Sequence, residues 1–242
     1  MPSPPRRLLP HPWLPAAAAG GIGLQLSCDP LAPPLLLLID GDDPAVAAAL
    51  PMLSGLLAPE ERARLAQLRK AGDRERFLLG RAVLRLCLAE LLDQPPASLL
   101  LAAGPKGKPS LADPEGLRRR GAPRFNVSHS GGLVLLGFHA AAEVGVDVER
   151  HRPDLCWQPI ARRFLPPQAV SRIETLSTEA QGVAFLQAWC RLEAELKARG
   201  VGLHGLDRLE GGPKQLGVGI GDTGQIWPVA LPAGYVGAAA LA

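Results

Sequence analysis

Two stretches of this chain can sustain long helices, and nearly everything around them is cut short by glycine or proline. In residues 59–92, Phe77, Leu78, Val83, Leu84, Leu88, Leu91 and Leu92 supply an apolar face, surrounded by Arg69, Lys70, Arg74, Arg76, Arg81 and Arg85. Pro59-Glu60-Glu61 reads as a first turn, with proline early and acids at the positive helix end. Gly72 is expected to break this stretch into two helices. Residues 178–199 form the second stretch, closed by Gly200. Elsewhere 27 glycines and 25 prolines without a collagen-like period imply many loops and few long helices.

Between these punctuation marks short elements can be read. Residues 35–40 are an apolar run before Gly41-Asp42-Asp43, hence a buried strand ending in a turn. Residues 125–127, 133–138 and 144–148 read as strands, the last two joined through 140–143 as a hairpin-like pair. Residues 159–164 read as a short helix. Residues 1–20, rich first in proline and then in alanine, are expected to be poorly ordered. No internal repeat is visible, although strands and helices occur in both halves.

A chain of 242 residues has room for one large domain or two small ones and needs no disulfide or metal staple. With 47% hydrophobic and 20% charged residues it is not a disordered chain. Its longest aliphatic run, 35–39, falls far short of the roughly 20 residues that cross a bilayer, so no membrane is expected. A net charge of +3 without a clustered basic face does not mark a nucleic-acid binder. Most of the basic residues are arginine, which reads either as compositional bias or, for a subset, as phosphate recognition. Cys28, Cys87, Cys156 and Cys190 are scattered without zinc spacing, as free thiols in a reducing cytoplasm would be. Arg6-Arg7 imitates a secretion signal, but Pro10, Pro12 and Pro15 interrupt the apolar part.

Four motifs carry candidate chemistry. Gly219-Ile220-Gly221-Asp222-Thr223-Gly224 has dinucleotide-loop spacing, but strand-like Gln225-Ile226-Trp227-Pro228 follows where a helix is required, so it reads as a hairpin turn. Asp147 and Glu149 alternate on a strand and share one face; this suits a hard cation, and equally an exposed acidic face. Glu193 and Lys197 lie four apart on a helix, which taken alone is a surface ion pair. Phe125-Asn126-Val127-Ser128-His129-Ser130 reads as a strand entering a polar turn. Ser128 and His129 point to opposite faces, so they are no nucleophile–base pair, and no GxSxG elbow exists elsewhere. A phosphate-binding turn fits these donors better.

In this order, with Gly107-Lys108-Pro109 upstream and Trp189 through Lys197 downstream, the motifs resemble those of the surfactin-type 4′-phosphopantetheinyl transferases. Leu57-Ala58-Pro59-Glu60-Glu61-Arg62 and Arg76-Phe77-Leu78-Leu79-Gly80-Arg81 add to the resemblance, which covers residues 55–210. It implies an α+β fold with a pseudo-twofold arrangement of two similar halves, here 21–123 and 124–242. It also implies transfer of the phosphopantetheine arm of coenzyme A to a serine of an apo acyl or peptidyl carrier protein, with adenosine 3′,5′-bisphosphate leaving. By this resemblance Asp147, Glu149 and Glu193 hold Mg²⁺ (or Mn²⁺), and Glu193 and Lys197 are catalytic. Lys70, Arg76, Lys108, Ser128, His129 and Lys197 bind coenzyme A. A cytoplasmic monomer is expected. Leu192 stands where the family often has lysine, which raises the question of a role in carrier docking. A metal-dependent hydrolase of a coenzyme-A-like pyrophosphate and a non-catalytic binding module remain the alternatives.

Overall fold

The structure, a computed structural model, describes residues 7–15, 22–27, 29, 31–103, 109–112, 122–203 and 225–242. In chain order the elements are β1 (His11–Pro12), β2 (Leu35–Asp40), α1 (Pro44–Gly55), α2 (Pro59–Gln67), α3 (Ala71–Leu92), β3 (Leu101–Ala103), β4 (Pro109–Leu111), β5 (Arg124–Ser130), β6 (Leu133–His139), β7 (Val144–Arg150), α4 (Gln158–Phe164), α5 (Pro167–Glu174), α6 (Thr178–Ala198), β8 (Ile226–Pro228) and β9 (Tyr235–Leu241). The class is α+β, as expected.

Two sheets organise the chain. The first has the order β1-β2-β6-β5 and the second β7-β9-β8; β3 and β4 form a separate ribbon. Strand β6 is central and all seven of its residues are buried, which is why Leu133–His139 reads as a continuous apolar run. Helix α3 covers one face of the first sheet, placing Leu79, Val83, Leu84 and Leu88 against Leu37, Ile39, Val134, Leu136 and Phe138. The opposite face meets the second sheet, with Leu36, Leu133 and Leu135 against Val144, Val146, Val148 and Leu241. Helix α6 lies on the far side of the second sheet, and its other face packs on α4 and α5 through Phe185, Leu192 and Leu196.

Several expectations shift for local physical reasons. The helical stretch breaks at 68–70, where Leu68 and Lys70 are extended, while Gly72 sits in the first turn of α3. First-turn amides have no partner within their helix, so a glycine there costs little. Strand β5 runs on through Ser130, so Ser128-His129-Ser130 is strand rather than turn. The turn is Gly131-Gly132, with Gly131 at φ 59°, and the hairpin it closes is β5–β6. Strands β6 and β7 are not paired. His139 Nδ1 accepts from the Ala141 and Ala142 amides at 3.1 and 2.8 Å, bending the chain out of the first sheet and into the second. The paired strands of the first sheet end at His139, and those of the second resume at Val144. Helix α1 was signalled by Asp43-Pro44, since Asp43 caps it by accepting from Ala45 N at 2.8 Å. Within the segment expected to lack order, residues 7–15 form a strap. Leu8 pairs beside β8, its amide donating to Pro228 O at 2.9 Å, while Trp13 N donates to Leu38 O of β2 at 2.8 Å and its indole is buried. Residues 1–6, 16–21 and the 219–224 glycine motif lie outside the described residues; Ile226–Pro228, after that motif, is strand.

Candidate active site at the junction of the two halves

Gly145, Asp147 and Glu149 alternate along β7 and face α6, while Val146 and Val148 face the first sheet. Gly145 lets the helix come close. A Cβ at this position would lie 1.9 Å from Ala194 O and 2.4 Å from Ala198 N. Small residues line the rest of the contact: Cys190, Ala194 and Ala198 from the helix, Ala238 and Ala240 from β9. At this approach Lys197 reaches the strand. Its Nζ donates to Asp147 Oδ1 at 2.6 Å, to the Val146 carbonyl at 3.2 Å and to Ser128 Oγ at 3.3 Å. Glu193, one helical turn earlier, shares with Asp147, Glu149, His129 and Lys197 a cavity of about 290 Å³.

Strand β5 forms the other wall in an unusual way. Among the described residues β7 pairs by main chain only with β9. Its other edge is met by side chains. Asn126 Oδ1 accepts from Val146 N at 3.0 Å, Ser128 Oγ from Val148 N at 3.2 Å, and Ser130 Oγ from Arg150 N at 3.0 Å. Two of these rungs also donate, Ser128 to Asp147 Oδ1 at 3.0 Å and Ser130 to Glu149 Oε2 at 2.8 Å. Ser128 is buried yet lines the same small cavity, its hydroxyl shared among Val148 N, Asp147 and Lys197.

The electrostatics follow from burial of like charges. Burial raises the Glu149 carboxyl above the ordinary glutamate range, against the hydrogen bond from Ser130. Burial likewise raises Glu193, opposed by Lys197 and assisted by Asp147 and Glu149. For Lys197, burial works against the charge, yet Asp147 and Glu193 outweigh it and hold the ammonium above the usual lysine range. Burial lowers His129, and the charges of Arg76 and Lys197 lower it further. As they stand, no three His, Cys, Asp or Glu side chains among the described residues converge as a metal cluster. The donor chemistry nevertheless fits a divalent cation. Three carboxylates share one cavity, and Asp147 Oδ2 is buried with no hydrogen-bond partner among the described residues.

A larger cleft of about 710 Å³ opens alongside, walled by Arg64, Arg76 and Arg81 from the first half and by Leu196 and Val201 from the second. His129, Glu193 and Lys197 line both spaces. Of the expected coenzyme A residues, Arg76 is in this cleft, though it is partly committed: it donates to Gly131 O at 2.8 Å and to Asp73 Oδ1 at 2.5 Å. Lys70 is exposed at the start of α3 and lines neither space. Lys108 lies outside the described residues, but its neighbour Pro109 lines the cleft. Leu192 is fully buried in the core between α6 and α4–α5, so a docking role for its side chain falls away. Other arginines are structural: Arg85, 1% exposed, donates to Glu61 Oε2 at 2.7 Å and to the Pro96 and Leu99 carbonyls. Sequence reasoning took Asn126 and Ser130 only as part of a phosphate-binding turn and Gly145 only as part of a motif, and gave none of them a role in holding β7. The signal was the period-two alignment of 126, 128 and 130 with 145, 147 and 149.

A helix laid over a strand carrying alternating carboxylates gathers Asp147, Glu149, Glu193 and Lys197 around one cavity beside an arginine-walled cleft. Comparison with known proteins shows the family. Residues 44–141 match the family described as 4′-phosphopantetheinyl transferase, N-terminal, and residues 143–222 match the 4′-phosphopantetheinyl transferase superfamily. The 4′-phosphopantetheinyl transferase HetI of Nostoc sp. is 31% identical over 206 residues, covering 84% of this chain and 81% of that protein. A Synechocystis sp. protein provisionally named a 4′-phosphopantetheinyl transferase is 40% identical over 156 residues, 64% of this chain and 62% of its own length. The 4′-phosphopantetheinyl transferase AcpT of Salmonella typhimurium is 32% identical over 139 residues, 57% of this chain and 65% of that protein. The chain belongs to the 4′-phosphopantetheinyl transferase family.

Proposed function

We propose that this protein transfers the phosphopantetheine arm of coenzyme A to a serine of an apo acyl or peptidyl carrier protein, in the manner of the surfactin-type enzymes. The observation that carries the reading is the small cavity where Asp147, Glu149, Glu193 and Lys197 meet, opening beside an arginine-walled cleft large enough for a nucleotide. The cleft takes the nucleotide end of coenzyme A, with Arg76 and His129 toward its phosphates. Burial favours the neutral form of His129, and in either form the ring can donate a hydrogen bond to a phosphate oxygen. Asp147, Glu149 and Glu193 are the residues that would hold Mg²⁺, which when bound supplies positive charge against the pyrophosphate.

The carrier serine hydroxyl attacks the phosphorus of the pantetheine arm. The bond to adenosine 3′,5′-bisphosphate breaks, and the serine proton goes to Glu193. Lys197 adds a fixed positive charge beside the leaving group. The nucleophile belongs to the partner, in keeping with Ser128 and His129 pointing to opposite faces of their strand. Cys87, Cys156 and Cys190 are free, which suits a reducing cytoplasm.

The test is incubation with coenzyme A, Mg²⁺ and a panel of apo carriers, reading the mass of each carrier. The expected result is gain of one phosphopantetheine on at least one carrier, with adenosine 3′,5′-bisphosphate released in equal amount. Release of that nucleotide without a carrier would establish the hydrolase instead. Binding of coenzyme A with no turnover would establish a binding module.

A further inference from the structure

The side-chain ladder between β5 and β7 has a pattern that register alone does not require. Three rungs each accept a β7 amide, from Asn126, Ser128 and Ser130. An asparagine oxygen suffices for that. Hydroxyls occur only at the two rungs whose neighbouring β7 residue is a carboxylate, Asp147 beside Ser128 and Glu149 beside Ser130; beside Asn126 the residue is Gly145. A hydroxyl both accepts and donates, so each serine can take a strand amide and give its proton to the adjacent carboxylate. Ser128 is shared with Lys197, whereas Ser130 accepts from Arg150 N at 3.0 Å and donates to Glu149 Oε2 at 2.8 Å.

We propose that Ser130 is a positioning residue for Glu149. Its hydroxyl fixes one carboxylate oxygen to the frame of β5 and leaves the other oxygen of Glu149 for the cavity. Carboxylates that ligate metals are commonly held in this way by an outer hydrogen bond, and losing such a partner weakens metal affinity by roughly 10–100-fold. The turn that follows Ser130 is anchored from both halves. Gly131 O accepts from Arg76 at 2.8 Å, and Gly132 N donates to the Tyr235 hydroxyl at 3.0 Å. Ser130 is thus the last residue of a strand whose end is fixed on two sides, a stable point from which to hold a flexible glutamate. The inference rests on the metal-binding reading of Asp147, Glu149 and Glu193.

The test measures Mn²⁺ uptake by electron paramagnetic resonance, without substrate, for the wild type, Ser130→Ala, Ser130→Thr and Asp147→Ala. Thermal melts accompany each variant. Ser130→Ala is expected to weaken Mn²⁺ binding by about tenfold. Ser130→Thr, which keeps the hydroxyl, is expected to stay within about twofold of the wild type. Undiminished Mn²⁺ uptake by folded Ser130→Ala overturns the inference, as does a Ser130→Thr variant that folds yet is impaired as much as Ser130→Ala. A wild type that takes up no Mn²⁺, or an Asp147→Ala variant that binds like the wild type, overturns the metal reading itself and this inference with it.

Discussion

Each half of the molecule lays one long helix on a sheet, α3 of 22 residues in the first and α6 of 21 in the second, yet the two contacts are built oppositely. Helix α3 stands on leucine and valine, with Leu79, Val83, Leu84 and Leu88 filling the gap to β2 and β6. Helix α6 stands on alanine and on Gly145, so its backbone approaches the strand. The first contact is made by large aliphatic side chains. The second brings Glu193 and Lys197 down onto Asp147 and Glu149. Large side chains keep a helix away from a sheet; small ones bring its functional groups within hydrogen-bond range. The half with the small-residue contact carries the candidate chemistry, and it draws stability from the other side of α6, where Phe185 stacks against Trp157 and Trp189 at 5.9 and 6.0 Å.

The severest way to break this arrangement is Leu192→Lys. Burying an ammonium among Phe185, Leu196 and Trp157 should cost about 4 kcal/mol or more, seen as a large fall in the denaturation midpoint. A stable variant with altered salt dependence toward a carrier would return Leu192 to the surface. Next, Asp147→Asn keeps the shape of the site but removes its central charge. Transfer activity is expected to fall by about 10²–10³-fold, roughly 3–4 kcal/mol in the barrier, with the circular dichroism unchanged. Near-wild-type turnover would detach Asp147 from the chemistry.

Two glycines sharpen the comparison directly. Gly145→Ala drives a methyl into the α6 backbone and should destabilise by about 2–3 kcal/mol while reducing activity, since the helix must retreat. Gly80 lies on α3 facing the first sheet, and a Cβ there meets Val134 and Val127 at an ordinary 3.5 and 3.6 Å. Gly80→Ala should therefore leave stability unchanged or improve it by up to about 1 kcal/mol through helix propensity. Equal penalties at the two positions in urea melts would refute the contrast in helix–sheet spacing.

The smallest effect is a dependence on pH. Glu149 and Glu193 have raised carboxyls, chiefly through burial. The folded protein then binds protons more tightly than the unfolded chain, so this pair makes stability rise as pH falls from the raised values toward the ordinary glutamate range. His129, lowered by burial, acts the other way as pH falls through the ordinary histidine range. The measurement is therefore the difference in melting temperature between the wild type and Glu149→Gln/Glu193→Gln across pH 7 to 5. The wild type should gain on the variant as the pH drops; a gap that widens in the variant's favour would contradict the assignment.

Much of this contrast was legible in the sequence. The alternation of Asp147 with Glu149 and the four-residue step from Glu193 to Lys197 place each pair on a face by periodicity alone, and the structure brings the two faces together. Residues 35–40 coincide with β2 because a pure apolar run closed by Gly-Asp-Asp has one reading. What sequence could not supply was the partner of each face. Leu192 stands out because the family often has lysine there, but helical geometry turns it away from Glu193 and Lys197 into the core. The link 140–143 looked like a hairpin turn because it joins two strands. Only the capture of two amides by His139 shows that it leads between sheets. Ser130 was hidden for the same reason, since its value depends on which strand lies alongside.

The strap at residues 7–15 has a consequence for the order in which the molecule is assembled. Trp13 and its neighbours can settle on β2 as soon as the first sheet forms, but Leu8 must wait for Pro228 and Ala230, almost the whole chain away. Those partners are synthesised about 220 residues later, so the first half must collapse with one end of its strap unclosed. Such a distant pairing carries a large loop-closure entropy and belongs to the late steps of folding. Residues 7–15 thus act as the closing seam, drawn shut only when the second sheet, and with it the carboxylate strand, is in place.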